Sequence, residues 1–280
     1  MTRNNFRLLQ GVHMKALVLK YSIILIFIFS CIPTVYAQTI KCWFPPSWRS
    51  KPAVAKKITT ALSQKSGINI QPRIARSYPQ ILKAFDSADM NLVYVGSFVQ
   101  AIINARNLGI PLVQSLNDKE LYSGVLVYPK GEDPKQILDQ FPAKIAYAKG
   151  ASSGESSAKA ATAGKAKIQT TSHSATSRAI VAGKAKAGVV KNWWWQSNRS
   201  KFPQLAMYKI PGVSLEKNPD NVLTASKSVP ANIRNKIIAA AKESKDDFGA
   251  KEIATFDPSL LQFSLQLMEK GKIDPQTYNW

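Results

Sequence analysis

The chain has 280 residues, with 38 Lys+Arg against 17 Asp+Glu, a formal charge of +21, and 45% hydrophobic residues. Two cysteines and two histidines are too few for a disulfide-stapled scaffold or a Cys/His zinc centre. No run of five or six like charges marks a nucleic-acid tail.

From Met14, "MKALVLKYSIILIFIFSCIPTVYA" shows Lys15 and Lys20, an apolar run over Tyr21–Phe29, and Val35-Tyr36-Ala37 before Gln38. This is a secretory signal pattern, with Met14 a second candidate start. The apolar run is short for a membrane span of about 20 residues. Residues 1–37 are therefore expected to be cleaved near Ala37, leaving an exported protein. Ile28-Phe29-Ser30 is a poor approach to a lipidated Cys31. Cleavage removes Arg3, Arg7, Lys15 and Lys20, leaving 34 Lys+Arg against 17 Asp+Glu, a formal +17 over 243 residues. One histidine, His173, and one cysteine, Cys42, remain. A lone thiol closes no internal disulfide, so a hydrophobic core must stabilise the mature chain. No cofactor or metal is expected.

Strand and helix signals then alternate. "TIKCWF" reads as a strand, "PPSWRSKP" as a loop, and Pro52 opens the helix "AVAKKITTALSQKSG", which stops at Gly67. "INIQPRIA" reads as a strand broken by Pro72. "SYPQILKAFDSAD" offers a helix capped by Ser77, with Pro79 in its first turn. "NLVYVG" is a buried parallel strand, "SFVQAIINARNLG" a helix and "IPLVQSL" a strand. "YSGVLVYPKGEDP" reads as a longer strand, followed by the helix "DPKQILDQF" and the strand "KIAYA". "SHSATSRAIVAGKAKAGVV" reads as loop, helix, Gly183 stop and strand. "QLAMYKI" is a strand, "VPANIRNKIIAAAKES" a helix opened near Pro230, and "DPSLLQFSLQLMEKG" an amphipathic helix ending at Gly271. Short connections between alternating strands and helices predict an α/β fold with helices on both sheet faces. Ligands in such folds bind at the carboxyl ends of strands, beside helix N-termini.

"KGASSGESSAKAATAG" follows a strand and runs into alanine-rich helix starting around Gly154. Its amides have no intrahelical acceptor, the helix dipole adds positive charge, and Ser152 and Ser153 add hydroxyls. Such a loop suits a phosphate-like oxyanion; an ordinary Ser-capped helix start is the plainer alternative. His173 stands at a second loop-to-helix junction, able to donate to an anion when neutral and more strongly when protonated.

These segments resemble, in order over nearly the whole mature chain, the phosphonate/phosphate-type substrate-binding proteins of ABC transporters. "ARSYPQILKAFDSADMNLVYVGSF" is similar to the family segment in which a tyrosine opens a helix and a strand ends in glycine. "AKGASSGESSAKA" is similar to its Ser-Thr-Ser-Gly loop, "SHSATSRAIVAGKAKAGVV" to its His-helix-Gly-Lys-strand segment, and "NPDNVLTASKSVPANIRNKIIAA" to its return to the first lobe. The resemblance implies a two-lobed periplasmic binding protein fold. Each lobe would be a mostly parallel sheet flanked by helices, with the ligand cleft between lobes. The lobes would divide as 38–123 and 213–280 against 124–212. It implies Tyr78 reaching the ligand from the first lobe and Ser152, Ser153 and the Gly154 amide holding the oxyanion from the second. His173 would lie beside them, Asp220 would pair with an amino group on an aminophosphonate, and Ser97 is a weaker contact. The partners implied are a small anion and a membrane permease, with hinge closure near residues 123–128 and 208–216. A monomer that binds no nucleic acid and catalyses no reaction is expected.

The chain departs from that pattern at Ala151, where the family has a serine, at Ser152 in place of threonine, at Val95 in place of tyrosine, and at Lys186 in place of an acidic residue. Tyr94, one place before Val95, points to the opposite strand face. "NWWWQ", Asn192–Gln196, cannot turn all three tryptophans one way. Core packing accounts for most of them; an aromatic wall around a larger, more apolar ligand, with Trp43 and Trp48 opposite, is the alternative function.

Overall fold

The computed structural model describes residues 39–150 and 152–280, the side chains of Ser152 and Ser153 excepted. The expected signal segment lies outside the described residues.

From Thr39 the chain forms strand β1 (Ile40–Phe44), helix α1 (Pro52–Ser66), β2 (Ile70–Ile74), α2 (Tyr78–Phe85), β3 (Asn91–Val95), α3 (Ser97–Ala105) and β4 (Gly109–Leu116). It crosses through β5 (Leu121–Tyr122) into β6 (Gly124–Pro129), α4 (Pro134–Gln140), β7 (Ile145–Ala148), α5 (Ser152–Ala161), β8 (Ile168–Thr170), α6 (His173–Val181), β9 (Ala187–Lys191), α7 (Asn192–Asn198) and β10 (Leu205–Tyr208). It returns through β11 (Asn218–Pro219) to β12 (Val222–Ser226), α8 (Ala231–Glu243), α9 (Lys245–Phe248), β13 (Glu252–Thr255) and α10 (Gln262–Lys270).

Two sheets result, one per lobe. The first has the order β13-β4-β12-β3-β1-β2 and the second β10-β6-β9-β7-β8. Pairing directions make β1, β2, β3 and β4 run one way, with β12 and β13 opposed. In the second sheet β7, β8, β9 and β10 share a direction and β6 opposes them. The sheets are thus mostly parallel by direction, each with a returning strand wedged inside it. Between them, β5 and β11 form a two-stranded antiparallel ribbon where the chain crosses.

Alternation along the strands sorts side chains into layers on opposite sheet faces. Leu92 and Tyr94 of β3 join Phe44, Ile58 and Leu62 in one core; Val93 and Val95 join Phe98, Ile102 and Ile81 in the other. The second lobe repeats this, with Tyr147 and Val189 on one face and Ala146 and Val190 on the other. Helix α10 serves both lobes: Phe263 and Leu267 enter a second-lobe core, while Met268 enters a first-lobe core.

Several expectations need correction. Pro72 does not break β2, because β2 pairs only with β1 and stands at the sheet edge, where a proline costs no ladder bond. Ser77 occupies the cap position of α2, but its hydroxyl makes no capping bond. The long strand expected over Tyr122–Pro134 is interrupted at Ser123, where the chain changes sheets. Helix α5 begins at Ser152, two residues before the expected Gly154. Strands β8, β12 and β13 went unread.

Candidate functional site

Parallel strands bring their carboxyl ends to one rim of each sheet, and the helices that follow start there. Tyr78 is the first residue of α2, Ser97 of α3 and His173 of α6. From the first lobe, Tyr78 lays its ring on Gly150 of the second. Gly150 has φ +72°, so a side chain there would be strained and would collide with Tyr78 ring carbons Cδ2 and Cε2. Burial pushes the Tyr78 phenol well above its ordinary pKa, and the nearby Glu155 carboxylate adds to this. Ser97 is buried, and its Oγ lies 2.7 Å from the Tyr122 hydroxyl, so its contact is within the protein.

Across the rim, the loop after β7 is organised by a carboxylate that the sequence did not single out. Glu155 is fully buried, and its Oε2 accepts the Gly150 N–H at 2.6 Å. The Trp280 indole Nε1 donates to the same oxygen at 3.1 Å, and the Tyr278 hydroxyl donates to Oε1. One loop amide is therefore already occupied by the chain's own anion. Gly154 is a glycine for a packing reason: a Cβ would stand 3.1 Å from the Ala148 nitrogen and 3.3 Å from its oxygen, where α5 rests on β7. The expected oxyanion hydroxyls of Ser152 and Ser153 lie outside the described residues, as does Ala151.

At His173, the start of α6 is capped conventionally, with Ser172 Oγ accepting the Ala175 N–H at 3.1 Å. The imidazole lies against Trp194, ring centroids 5.7 Å apart. Burial, reinforced by the positive charge of Lys191, lowers its pKa to about 4, so the ring is neutral at pH 7.

Lys191 connects the end of β9 to the turn before β12. It ends β9, with its side chain 19% exposed, and its Nζ lies 2.7 Å from Asp220 Oδ1. The same ammonium sits 4.3 Å from the Tyr122 ring centroid and 4.2 Å from that of Trp193. Asp220, expected to meet an amino group on a ligand, meets one supplied by the chain. The three tryptophans divide as their sequence demands: Trp195 is in the core, Trp194 flanks His173, and Trp193 walls Lys191. Trp43 donates to Asn91 Oδ1 at 2.8 Å within the first lobe. A cavity of about 370 Å³ opens beside Asp220, lined by Trp48, Tyr94, Phe248 and Ser115, with Lys51 and Lys119 on it.

Sequence reasoning thus missed Lys191, Glu155, Tyr278 and Trp280. Lys191 had a usable signal, since it closes an apolar strand immediately before a helix. The others had none: the bonds that join Glu155 to Tyr278 and Trp280 span more than 120 residues.

Residues 52–257 match the family model for the periplasmic phosphonate substrate-binding protein of ABC transporters. No curated protein matches significantly. Among solved structures, the fold is similar to PhnD1 from Prochlorococcus marinus in complex with methylphosphonate. Identity is 14%, the TM-score 0.62, and the match covers 84% of this chain and 98% of that one. A binding protein component of an ABC phosphonate transporter from Pseudomonas aeruginosa gives 16%, 0.62, and 84% and 87%. XAC2383 from Xanthomonas citri bound to ATP gives 10%, 0.64, and 84% and 97%. Identities this low speak to the fold. With two lobes joined by a crossing ribbon and a family match across most of its length, the chain belongs to the periplasmic phosphonate-type substrate-binding proteins of ABC transporters.

Proposed function

We propose that this protein captures a small oxyanion of the phosphonate, phosphite or phosphate type between its lobes and delivers it to an ABC permease. The observation that carries this reading is the placement of Tyr78, the start of α5 and His173 at helix starts that follow strand carboxyl ends, with the Tyr78 ring reaching Gly150 of the other lobe. Ser152, Ser153 and the Gly154 amide take the anion from the second lobe, and His173 donates to it. Tyr78 closes on it from the first. Ser97 acts by holding Tyr122, and Asp220 by holding Lys191.

The lobes divide as 38–123 and 213–280 against 124–212, and hinge near 123–128 and 208–216, a reading supported by the β5–β11 ribbon at the crossing. The ligand touches both lobes and so favours the closed state by its differential affinity. Residues 1–37 direct export and are removed near Ala37. The protein acts as a monomer, without cofactor, catalysis or nucleic acid.

Titration calorimetry with phosphate, phosphite, methylphosphonate and 2-aminoethylphosphonate tests this reading. Saturable heat with at least one is expected, weakened by Ser153→Ala and by His173→Ala without loss of folding. No heat from any of the four overturns the oxyanion assignment. The aromatic cavity beside Asp220 favours a second reading, a larger and more apolar ligand for transport or sensing. A blue shift of tryptophan emission on adding such a ligand is its signature.

A further inference from the structure

We propose that Tyr122, Trp193 and Asp220 form an ammonium-binding cage that the chain fills with its own Lys191, so that this site selects anions carrying no amino group. Each wall is of a type that recognises an alkylammonium. Two aromatic faces approach the Nζ at 4.3 and 4.2 Å, within the reach of a cation–π contact, and a carboxylate oxygen lies 2.7 Å away. The cage is held in place from outside. The Tyr122 hydroxyl is fixed by Ser97 Oγ, the Asp220 amide donates to Glu120 O at 2.7 Å, and Asn221 Nδ2 stands 3.5 Å from Asp220 Oδ2. A lysine used only to attract anions has no reason to be tethered between two ring faces and a carboxylate, which spend its charge locally.

The consequence for specificity rests on the proposed cleft: Trp193, which walls Lys191, is followed directly by Trp194, whose ring lies 5.7 Å from that of His173. An anion with an amino group would have to place a second cation beside Lys191. An anion with a plain alkyl or hydrogen substituent would not.

The cage itself is testable without any phosphonate. Lys191→Ala removes the equivalent of n-propylammonium, so that ion should return to the vacated cage. Thermal unfolding of Lys191→Ala is expected to shift upward saturably with n-propylammonium chloride, while n-propanol at equal concentration and sodium chloride at equal ionic strength have no such effect. Wild type should not respond, and adding Asp220→Asn to the variant should abolish the response. Equal responses to propylammonium and propanol, or none to either, overturn the proposal.

Lys191→Met, which keeps the stem but leaves the place of the ammonium empty, provides a second readout should the alanine variant not fold. Leaving Asp220 without its cation should raise the ratio of affinities for 2-aminoethylphosphonate over ethylphosphonate by about tenfold or more, the scale of one charge-assisted hydrogen bond. An unchanged ratio overturns the selectivity claim. Absence of binding by both phosphonates would count against the oxyanion reading, and the propylammonium result would still decide the cage.

Discussion

Replacing Glu155 by glutamine tests whether the C-terminal residues clasp the second lobe through a buried charge. Tyr278 and Trp280 belong to a segment tied to α3. Arg106 donates to the Pro275 oxygen at 2.8 Å and to the Tyr278 oxygen at 2.6 Å, and Gln276 donates to the Ala105 oxygen at 2.7 Å. Phe98 of α3 packs edge-on against both Tyr278 and Trp280, at 5.7 and 5.6 Å. From that anchorage the two side chains reach Glu155 in α5, which also accepts the Gly150 N–H.

Three donors to one carboxylate are worth about 1.5–3 kcal/mol each, against about 0.5–1.5 kcal/mol for neutral bonds. Glutamine keeps the volume but turns an NH2 toward at least one donor. The expected loss is about 3 kcal/mol, or roughly 6–12 °C in Tm for a chain of this size. Burial opposes this: among the described residues Glu155 has no ion-pair partner, and a desolvated carboxylate is costly. Its place in the first turn of α5 offsets part of that cost through the helix dipole. Thermal and guanidinium unfolding at pH 7 measure the balance. A loss under about 1 kcal/mol, or a gain, would show that the charge contributes nothing net and would refute the clasp.

Gly150→Ala should cost the left-handed penalty of about 1–2 kcal/mol plus the displacement of Tyr78. Made in a Tyr78→Ala background, the same change should cost only the former, and strict additivity in this double-mutant cycle would deny the contact. His173, with its pKa lowered to about 4 from an ordinary 6.5, stays neutral in the folded chain while the unfolded chain protonates. Its contribution is complete above about pH 6.5 and is lost as pH falls toward 4. Urea titrations at pH 7 and 4.5 should therefore show His173→Gln losing less stability on acidification than wild type, and a larger loss would mean that the native ring is charged.

The alternation of strands and helices was legible because each element's period reflects which face it buries, and that is a local property. Gly67 and Gly183 do adopt left-handed conformations at helix ends, and Pro52 and Pro230 stand at helix starts, as their backbone preferences require. Tyr94 and Val95 do face opposite layers. The element ends at which Tyr78, Ser97 and His173 stand could be read in the same way, since strand ends and helix starts have local signatures.

What each of those residues meets could not be read locally. Asp220 has a neighbour suited to it, but that neighbour is Lys191, 29 positions away, and the pairing exists only because β9 ends opposite the strand-to-strand turn before β12. Glu155 looked like one more polar residue in a serine loop until the chain's last residues returned to it. Local chemistry determined the elements and their order; the choice of partner among several like-charged side chains required the fold, because hydrogen bonds and ion pairs depend on distances that sequence separation does not encode.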